Sequence, residues 1–406
     1  MSDGIIVTGG PVGRQGESLA ETSGDTLHVP YLLPGEVARV TSVGKRASLV
    51  ELLEPSPARI EPFCPAFGHC GGCKIQHWRL EEYRAWKRSL VETALRHRGI
   101  SAPVADLVEA HGAGRRRATL HVRRSPTGIS AGFNIGRTHE LHALETCPVL
   151  EPALSNAPEI ATAIGEVVGE SDVTFTATDT GVDVAITGAK RIAAGKLVGL
   201  ADIRARYGLT RISFGAEPIV TAEVPAVAIG RAKVALPPSA FLQATRAGEG
   251  ALAGVVLAAV KGARSAADLF CGVGPFALRL AQHMRILAVD SSGLAVAALA
   301  QASRRTSGLK PITVDVRDLF RQPLMPRELA AFDAVVIDPP RAGAEAQARQ
   351  LARSAVRTVV SVSCDPATFA RDADILLKGG YRLESVTPVD QFAWTAHVEV
   401  VGVFQK

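Results

Sequence analysis

A chain of 406 residues is too long for one ordinary domain and suits two or three, and 47% hydrophobic residues are enough to fill their cores. Aromatics make up only 5%, so those cores are mainly aliphatic. The opening MSDGIIVTGG has no basic stretch leading into an apolar run and does not read as a signal peptide, and the longest apolar run, Ala251 to Val260, is too short for a bilayer; a cytoplasmic location is expected. A net charge of +5 is too mild to identify a partner.

Along the chain, GIIVTGG, TLHVPYLL, EVARVTSV and RASLVELL are short strand-like runs separated by turn residues, which predicts a small β-barrel over residues 1–55. The proline-containing EPSPARIEPF reads as a linker. FCPAFGHCGGCKIQHW follows and holds three of the six cysteines, Cys64, Cys70 and Cys73. Clustered cysteines in a reducing compartment point to metal rather than disulfides. EEYRAWKRSLVETALRHRG then has apolar residues at helical spacing and a glycine stop.

Residues 56–235 read as a mixed α/β domain, with a hairpin in VTFTATDTGVDVAITG turning near Thr180 and Gly181. Within this region Arg115, Arg116, Arg117, Arg123, Arg124 and Arg137 occur with no acidic residue between them. Such a field suits a phosphate backbone, and a solvated basic strand face is the equal alternative.

From about residue 240 strands and helices alternate: AADLF, FALRLAQHM, RILAVD, GLAVAALAQASRR, PITVDV, DAVVID and TVVSVSC, which predicts a parallel sheet with helices on both faces over 236–406. The tail AHVEVVGVFQK reads as a last, antiparallel strand at or near an edge. DLFCGVGPFA lies between the first strand and helix, where Gly272 and Gly274 let the backbone turn tightly and approach a ligand. Asp290 ends the next strand, 22 positions after Asp268, and can accept bonds from ribose hydroxyls. The pattern fits a dinucleotide as well as S-adenosylmethionine. Cys364 in SVSCDP and Asp338 in VVIDPPRAG both leave strands at carboxyl ends, where open α/β sheets bind ligands. A thiol just before a helix N-terminus is expected to have its thiolate favoured by the macrodipole; the competing reading is a small buried hydrophobe. Spacing alone gives no reason to select Glu399.

Taken in order, Cys-x5-Cys-x2-Cys, FLQ, DLFCGVGPF, DPPRAG, SCDP and HVE resemble the RNA uracil-5 methyltransferase family, in particular members that bear an iron–sulfur cluster and act on large-subunit ribosomal RNA. The resemblance covers essentially the whole chain. It implies a TRAM-like barrel at 1–55, a cluster-bearing RNA-binding domain at 56–235 and a Rossmann-like methyltransferase domain at 236–406. It makes Cys364 the nucleophile and Glu399 the general base, with Gln243, Phe270, Asp290 and Asp338 contacting S-adenosylmethionine or the reacting base. It implies RNA as partner, and no obligate protein partner is evident, so a monomer is expected. Pro275 stands where many members have asparagine, FLQAT replaces FFQVN, and DQFAWT replaces a DMFPxT-like run. Carbon 5 of uracil is a poor nucleophile, so a thiolate must add at carbon 6 first and a carboxylate must later remove the carbon 5 proton. Cys64, Cys70, Cys73 and Cys147 supply the four thiolates of a [4Fe–4S] cluster, with zinc as the alternative. The same chemistry on transfer RNA, an NAD-dependent oxidoreductase and a non-catalytic RNA binder are the rival functions.

Overall fold

The computed structural model describes residues 4–126, 128–136, 138–189 and 192–406. Arg137 of the arginine-rich stretch lies outside the described residues.

Residues Ile5–Thr8, Glu17–Glu21, Thr26–Pro30, Val37–Val43 and Arg46–Glu54 form a five-stranded sheet. Alternating residues such as Leu27 and Val29, or Ala38 and Val40, supply its separate core. A second sheet of seven strands runs from Arg117–Ser125 to Glu217–Thr221. Its hairpin joins Ser171–Thr178 to Gly181–Thr187, as TDTG predicts, and helices Ala157–Val168 and Leu197–Arg206 share its core through Ile160, Ile164, Leu200 and Ile203.

The third sheet positions the site. Its strands run in the order Ile312–Val316, Arg285–Asp290, Ser265–Leu269, Ala334–Ile337, Thr358–Ser363, Glu399–Gln405, Arg382–Asp390 and Val108–Glu109. The first five are parallel. Because side chains alternate across a strand, Ala266, Val336 and Val360 enter one core while Ala267, Val335 and Val359 enter the other. Strands buried on both faces therefore read as continuous apolar runs.

Three features depart from the sequence reading. Helix Ala277–Leu280 is only four residues long, because the N–H of Lys310 takes the carbonyl of Ala281 at 2.6 Å and the following turn tightens to three-residue bonds at His283. The tail strand is internal, antiparallel to Thr358–Ser363 on one side and to Arg382–Asp390 on the other. The flanking RLESVTPVD is a further strand, although Glu384, Ser385 and Pro388 break the alternation that would mark it in the sequence.

Helix Leu80–Arg96 buries Tyr83, Trp86, Lys87, Val91 and Leu95, a stripe at helical spacing. Glu81 and Glu82 in its first turn and Arg96 in its last suit the helix dipole. Val91 and Leu95 join the core of the third sheet, not that of the second. Lys87 pairs with Asp390 at 2.9 Å, and both are almost completely buried. Tyr83 donates to the other carboxylate oxygen of Asp390 at 2.5 Å. The same segment ends in Val108–Glu109, which adds a parallel edge strand beside Val389 and Asp390.

Candidate active site

Loops at the carboxyl ends of the parallel strands open onto a cavity of about 650 Å³. Gln243, Phe270, Gly272, Asp290, Asp338, Cys364 and Glu399 all line it. Asp338 and Cys364 directly follow their strands, and Asp290 ends its own. Glu399 opens an antiparallel strand in which Val400 pairs with Ser363, so it enters from the same end beside Cys364. Residues far apart in sequence thus meet because strand direction brings them there.

Gly272 has φ 50°, and its N–H donates to Asp290 Oδ2 at 2.9 Å; the other oxygen accepts from Ser292 N–H at 2.8 Å. These bonds fix the carboxylate at the cavity edge. Phe270 adopts φ 63° and packs on Phe320 with ring centroids 5.5 Å apart, forming an apolar wall. Gly274, expected to face a ligand, does not line the cavity. Its φ is 92°, and a Cβ there would lie 2.6 Å from Leu299 Cδ1, so glycine serves to pack the loop on helix Gly293–Arg305. Pro275 does line the cavity. Thr245 instead caps helix Arg246–Ala259, accepting from Gly248 N–H at 2.8 Å.

The thiol of Cys364 is pushed up to about 11, first by burial and then by the charge of Glu399, with Arg341 opposing. Burial and the charge of Glu399 outweigh whatever the following helix contributes. Asp365 caps that helix, and its carboxylate takes the N–H groups of Ala367 at 2.8 Å and Thr368 at 3.2 Å. Burial also raises the carboxyls of Glu399 and Asp338, and the charge of Asp338 adds to the effect on Glu399. Gln243 Nε2 donates to Asp338 Oδ2 at 3.0 Å, and Gln391 Nε2 donates to Glu399 Oε1 at 3.0 Å. Glu399 Oε2 is buried without a hydrogen-bond partner. Two carboxyls raised by burial, a thiol and an unpartnered carboxylate oxygen thus share one cavity, a set able to supply a nucleophile and to exchange protons.

Arg341, Gln391, Phe320 and His397 also line or support the cavity and were not selected from the sequence. Arg341 donates to His397 Nε2 at 2.7 Å, and His397 is held down to about 4 by burial and by Arg341. The DPPRAG run marks Arg341 only as a residue following a strand. The other three sit in loops without periodic pattern.

The arginine-rich stretch behaves differently from its reading as a phosphate-binding face. Arg116 is buried, ion-paired with Glu249 at 2.5 Å, and donates through Nε to the carbonyl of Gln243 at 2.9 Å. Arg115 and Arg117 instead line a second cavity of about 280 Å³. Arg123 is tied to Asp172 and to the carbonyl of Ser171, which leaves Arg124 as the exposed member among the described residues.

Cys64, Cys70, Cys73 and Cys147 all line that second cavity. Burial raises the thiols of Cys70 and Cys147, and Cys73 is pushed up to about 11. Their neighbouring thiols raise them further, and Arg115 opposes this at Cys73 and Cys147. Gly72 N–H points at Cys70 Sγ at 3.4 Å. Among the described residues, no group of three or more His, Cys, Asp or Glu side chains meets the geometry for a metal ion. No described helix is long and apolar enough to cross a membrane.

Comparison with known proteins places this geometry in context. The family described as tRNA (Uracil-5-)-methyltransferase matches residues 239–406. An uncharacterized RNA methyltransferase of Brucella suis is 44% identical over 97% of this chain and 96% of its own. The 23S rRNA (uracil(1939)-C(5))-methyltransferase RlmD of Chromohalobacter salexigens is 36% identical over 93% of this chain and 84% of its own. In fold, the chain is similar to the Pyrococcus abyssi tRNA (uracil-54, C5)-methyltransferase in complex with S-adenosyl-L-homocysteine, with TM-score 0.74, 22% identity, and coverage of 98% of this chain and 100% of that one. With near-whole-length relatives at this identity and residues 239–406 matched by the family itself, the chain belongs to the RNA uracil-5 methyltransferase family.

Proposed function

We propose that the protein methylates carbon 5 of a uridine in large-subunit ribosomal RNA through a covalent adduct on Cys364. One observation carries the reading: Cys364 and Glu399, brought together by antiparallel pairing, share a cavity in which Glu399 Oε2 has no protein partner. The ribosomal substrate is supported by the similarity to RlmD. S-adenosylmethionine supplies an electrophilic methyl group on a sulfonium when bound. Asp290 and Gly272 at the glycine loop, with the wall formed by Phe270, suit its ribose and adenine. Gln243 and Asp338 face the same cavity and suit the edge of the reacting base.

Cys364 adds to carbon 6, and the electrons of the 5,6 double bond move into an enolate. The enolate carbon takes the methyl group while the bond to sulfonium sulfur breaks. Glu399 then removes the carbon 5 proton; the double bond reforms and the thiolate leaves. A thiol held near 11 must lose its proton first, and Arg341 favours that ionisation. The uridine must also be flipped out of its stack to reach the cavity.

We also propose a [4Fe–4S] cluster on Cys64, Cys70, Cys73 and Cys147. The donor set suits it: four thiols line one cavity, a backbone N–H points at one sulfur, and Arg115 offsets charge at Cys73 and Cys147, while the thiols as placed do not converge on one ion. Its role would be to tie the 64–73 loop to the core of the seven-stranded sheet, against which Cys147 packs, within 56–235; a TRAM-like unit at 1–55 precedes it, and the methyltransferase unit takes 236–406 together with residues 80–109. Iron and sulfide analysis of anaerobically purified protein tests this; one stoichiometric zinc without iron would refute it.

The function is tested with a 23S ribosomal RNA transcript carrying 5-fluorouridine, since fluorine cannot leave as a proton. A methylated adduct mapping to Cys364 is expected, and Cys364→Ala should form none. Glu399→Gln should accumulate the methylated adduct even on ordinary uridine. No adduct, or one mapping to Cys271, would refute the mechanism.

A further inference from the structure

Gln391 stands where the FLQ loop, the end of strand Arg382–Asp390 and Glu399 meet, and it is completely buried. Its Nε2 donates both hydrogens, to Gln243 Oε1 at 2.6 Å and to Glu399 Oε1 at 3.0 Å. Its Oε1 accepts from Thr245 N–H at 3.4 Å. The amide therefore cannot turn over without setting its oxygen against two acceptors. Gln243 is fixed in turn, because its Oε1 is engaged and its Nε2 must face Asp338. The chain Glu399–Gln391–Gln243–Asp338 backs one wall of the cavity, which Glu399, Gln243 and Asp338 line with Gln391 buried behind them, and it holds one oxygen of each carboxylate. At Glu399 the other oxygen, Oε2, is buried and unpartnered.

We infer that Gln391 is a positioning residue for proton abstraction: it pins Glu399 Oε1, so that Oε2 is the oxygen presented to the carbon 5 proton. This rests on the function proposed above. In that step the C5–H bond breaks and the proton passes to Glu399 Oε2. The C–H electron pair forms the 5,6 double bond, and the pair of the C6–S bond returns to Cys364. The charged and titratable groups facing Glu399 are Asp338, which opposes its ionisation, Arg341, which favours it, and the thiol of Cys364. Gln391 adds a neutral donor that favours the carboxylate without bringing a charge into the cavity.

Two variants test this, so that a folding failure in one leaves the other to decide. Gln391→Met keeps the volume and removes the donor; Gln391→Glu keeps the shape and replaces the donor with an acceptor. With the 23S transcript and S-adenosylmethionine, kcat is expected to fall roughly tenfold in both, the factor for losing one hydrogen bond to a charged group. KM for both substrates should hold. The acid limb of kcat should move to higher pH, because a carboxylate that loses a donor keeps its proton longer. Methylated adduct should accumulate at steady state, while the rate of adduct formation on 5-fluorouridine RNA, which needs no base, stays at the unmutated value. Unchanged kcat and pH profile in both variants overturn the inference. A fluorouridine adduct rate that falls in step with turnover also overturns it, since that marks a packing role. If the unmutated protein forms no fluorouridine adduct, the functional reading itself fails, and the inference falls with it.

Discussion

Replacing Lys87 with methionine should destabilise the protein far more than an exposed helical lysine would. The Lys87 side chain is fully buried and pairs with Asp390 at 2.9 Å, which is buried too. Its ammonium also donates to the carbonyls of Phe392, at 3.3 Å, and His397. Methionine fills similar volume, so little cavity cost arises and the loss is electrostatic. Removing one member of a buried pair costs about 3–5 kcal/mol because the other charge is left uncompensated. Here Asp390 keeps the Tyr83 hydroxyl at 2.5 Å and Phe392 N–H at 3.2 Å, which places the expected loss near the lower end, about 3 kcal/mol. For a unit of this size that corresponds to a fall in Tm of roughly 10 °C. Urea and thermal unfolding of Lys87→Met, Asp390→Asn and the double variant measure it, and the double variant should recover most of the single loss. A loss below about 1 kcal/mol for Lys87→Met, or strictly additive losses, would refute the argument that burial makes this pair interdependent.

Gly274→Ala should cost about 1–3 kcal/mol, because φ is 92° and the added methyl would meet Leu299 at 2.6 Å; Leu299→Ala should restore part of it in thermal unfolding. Arg116→Ala should lower stability by about 1–3 kcal/mol, because Glu249 Oε2 loses its buried partner while Oε1 keeps Arg279 at 2.7 Å, and the salt slope of RNA binding should stay unchanged; a reduced slope would restore a phosphate role. Glu36 gives a pH test. Burial alone would raise its carboxyl, but Arg59 and the N–H groups of Leu33 and Ser56 outweigh this and hold it below its ordinary value. Its stabilising contribution is therefore present above the unfolded carboxyl value near ~4.3 and lost as pH falls through the lower folded one. Glu36→Gln should flatten the stability curve in that acid window, and an unchanged curve would refute the linkage.

Much of the C-terminal sheet was legible because parallel strands buried on both faces are written as apolar runs, as in AVVI and TVVSVS. Arg382–Asp390 was not, since it carries charge and proline and is held by pairing to the tail strand. The candidate site was legible where a residue follows a strand, as Asp338 and Cys364 do. Gln391 and His397 lie in a loop whose course depends on a helix about 300 positions earlier, the separation being 303 between Lys87 and Asp390, and no local pattern records that. The arginine-rich run was ambiguous for a similar reason. Charge is visible in sequence, whereas the buried partner of Arg116, Glu249, is 133 positions away.

Helix Leu80–Arg96 and strand Val108–Glu109 complete a sheet whose other strands begin at Ser265, so the intervening seven-stranded sheet is topologically an insertion within the catalytic unit. A fragment cut at 236 would expose the backbone groups along the edge of Arg382–Asp390 that now pair with Val108–Glu109, and would uncover the apolar seat of Val91 and Leu95. An unpaired edge beside an exposed apolar surface favours aggregation over independent folding. Closing contacts across some 300 residues also raises contact order, so the helix must await sheet residues made much later in synthesis, and folding should be slow to finish. The practical unit for expression or transplantation is therefore discontinuous, and supplying residues 80–110 as a separate chain should rescue a 236–406 fragment that is insoluble alone.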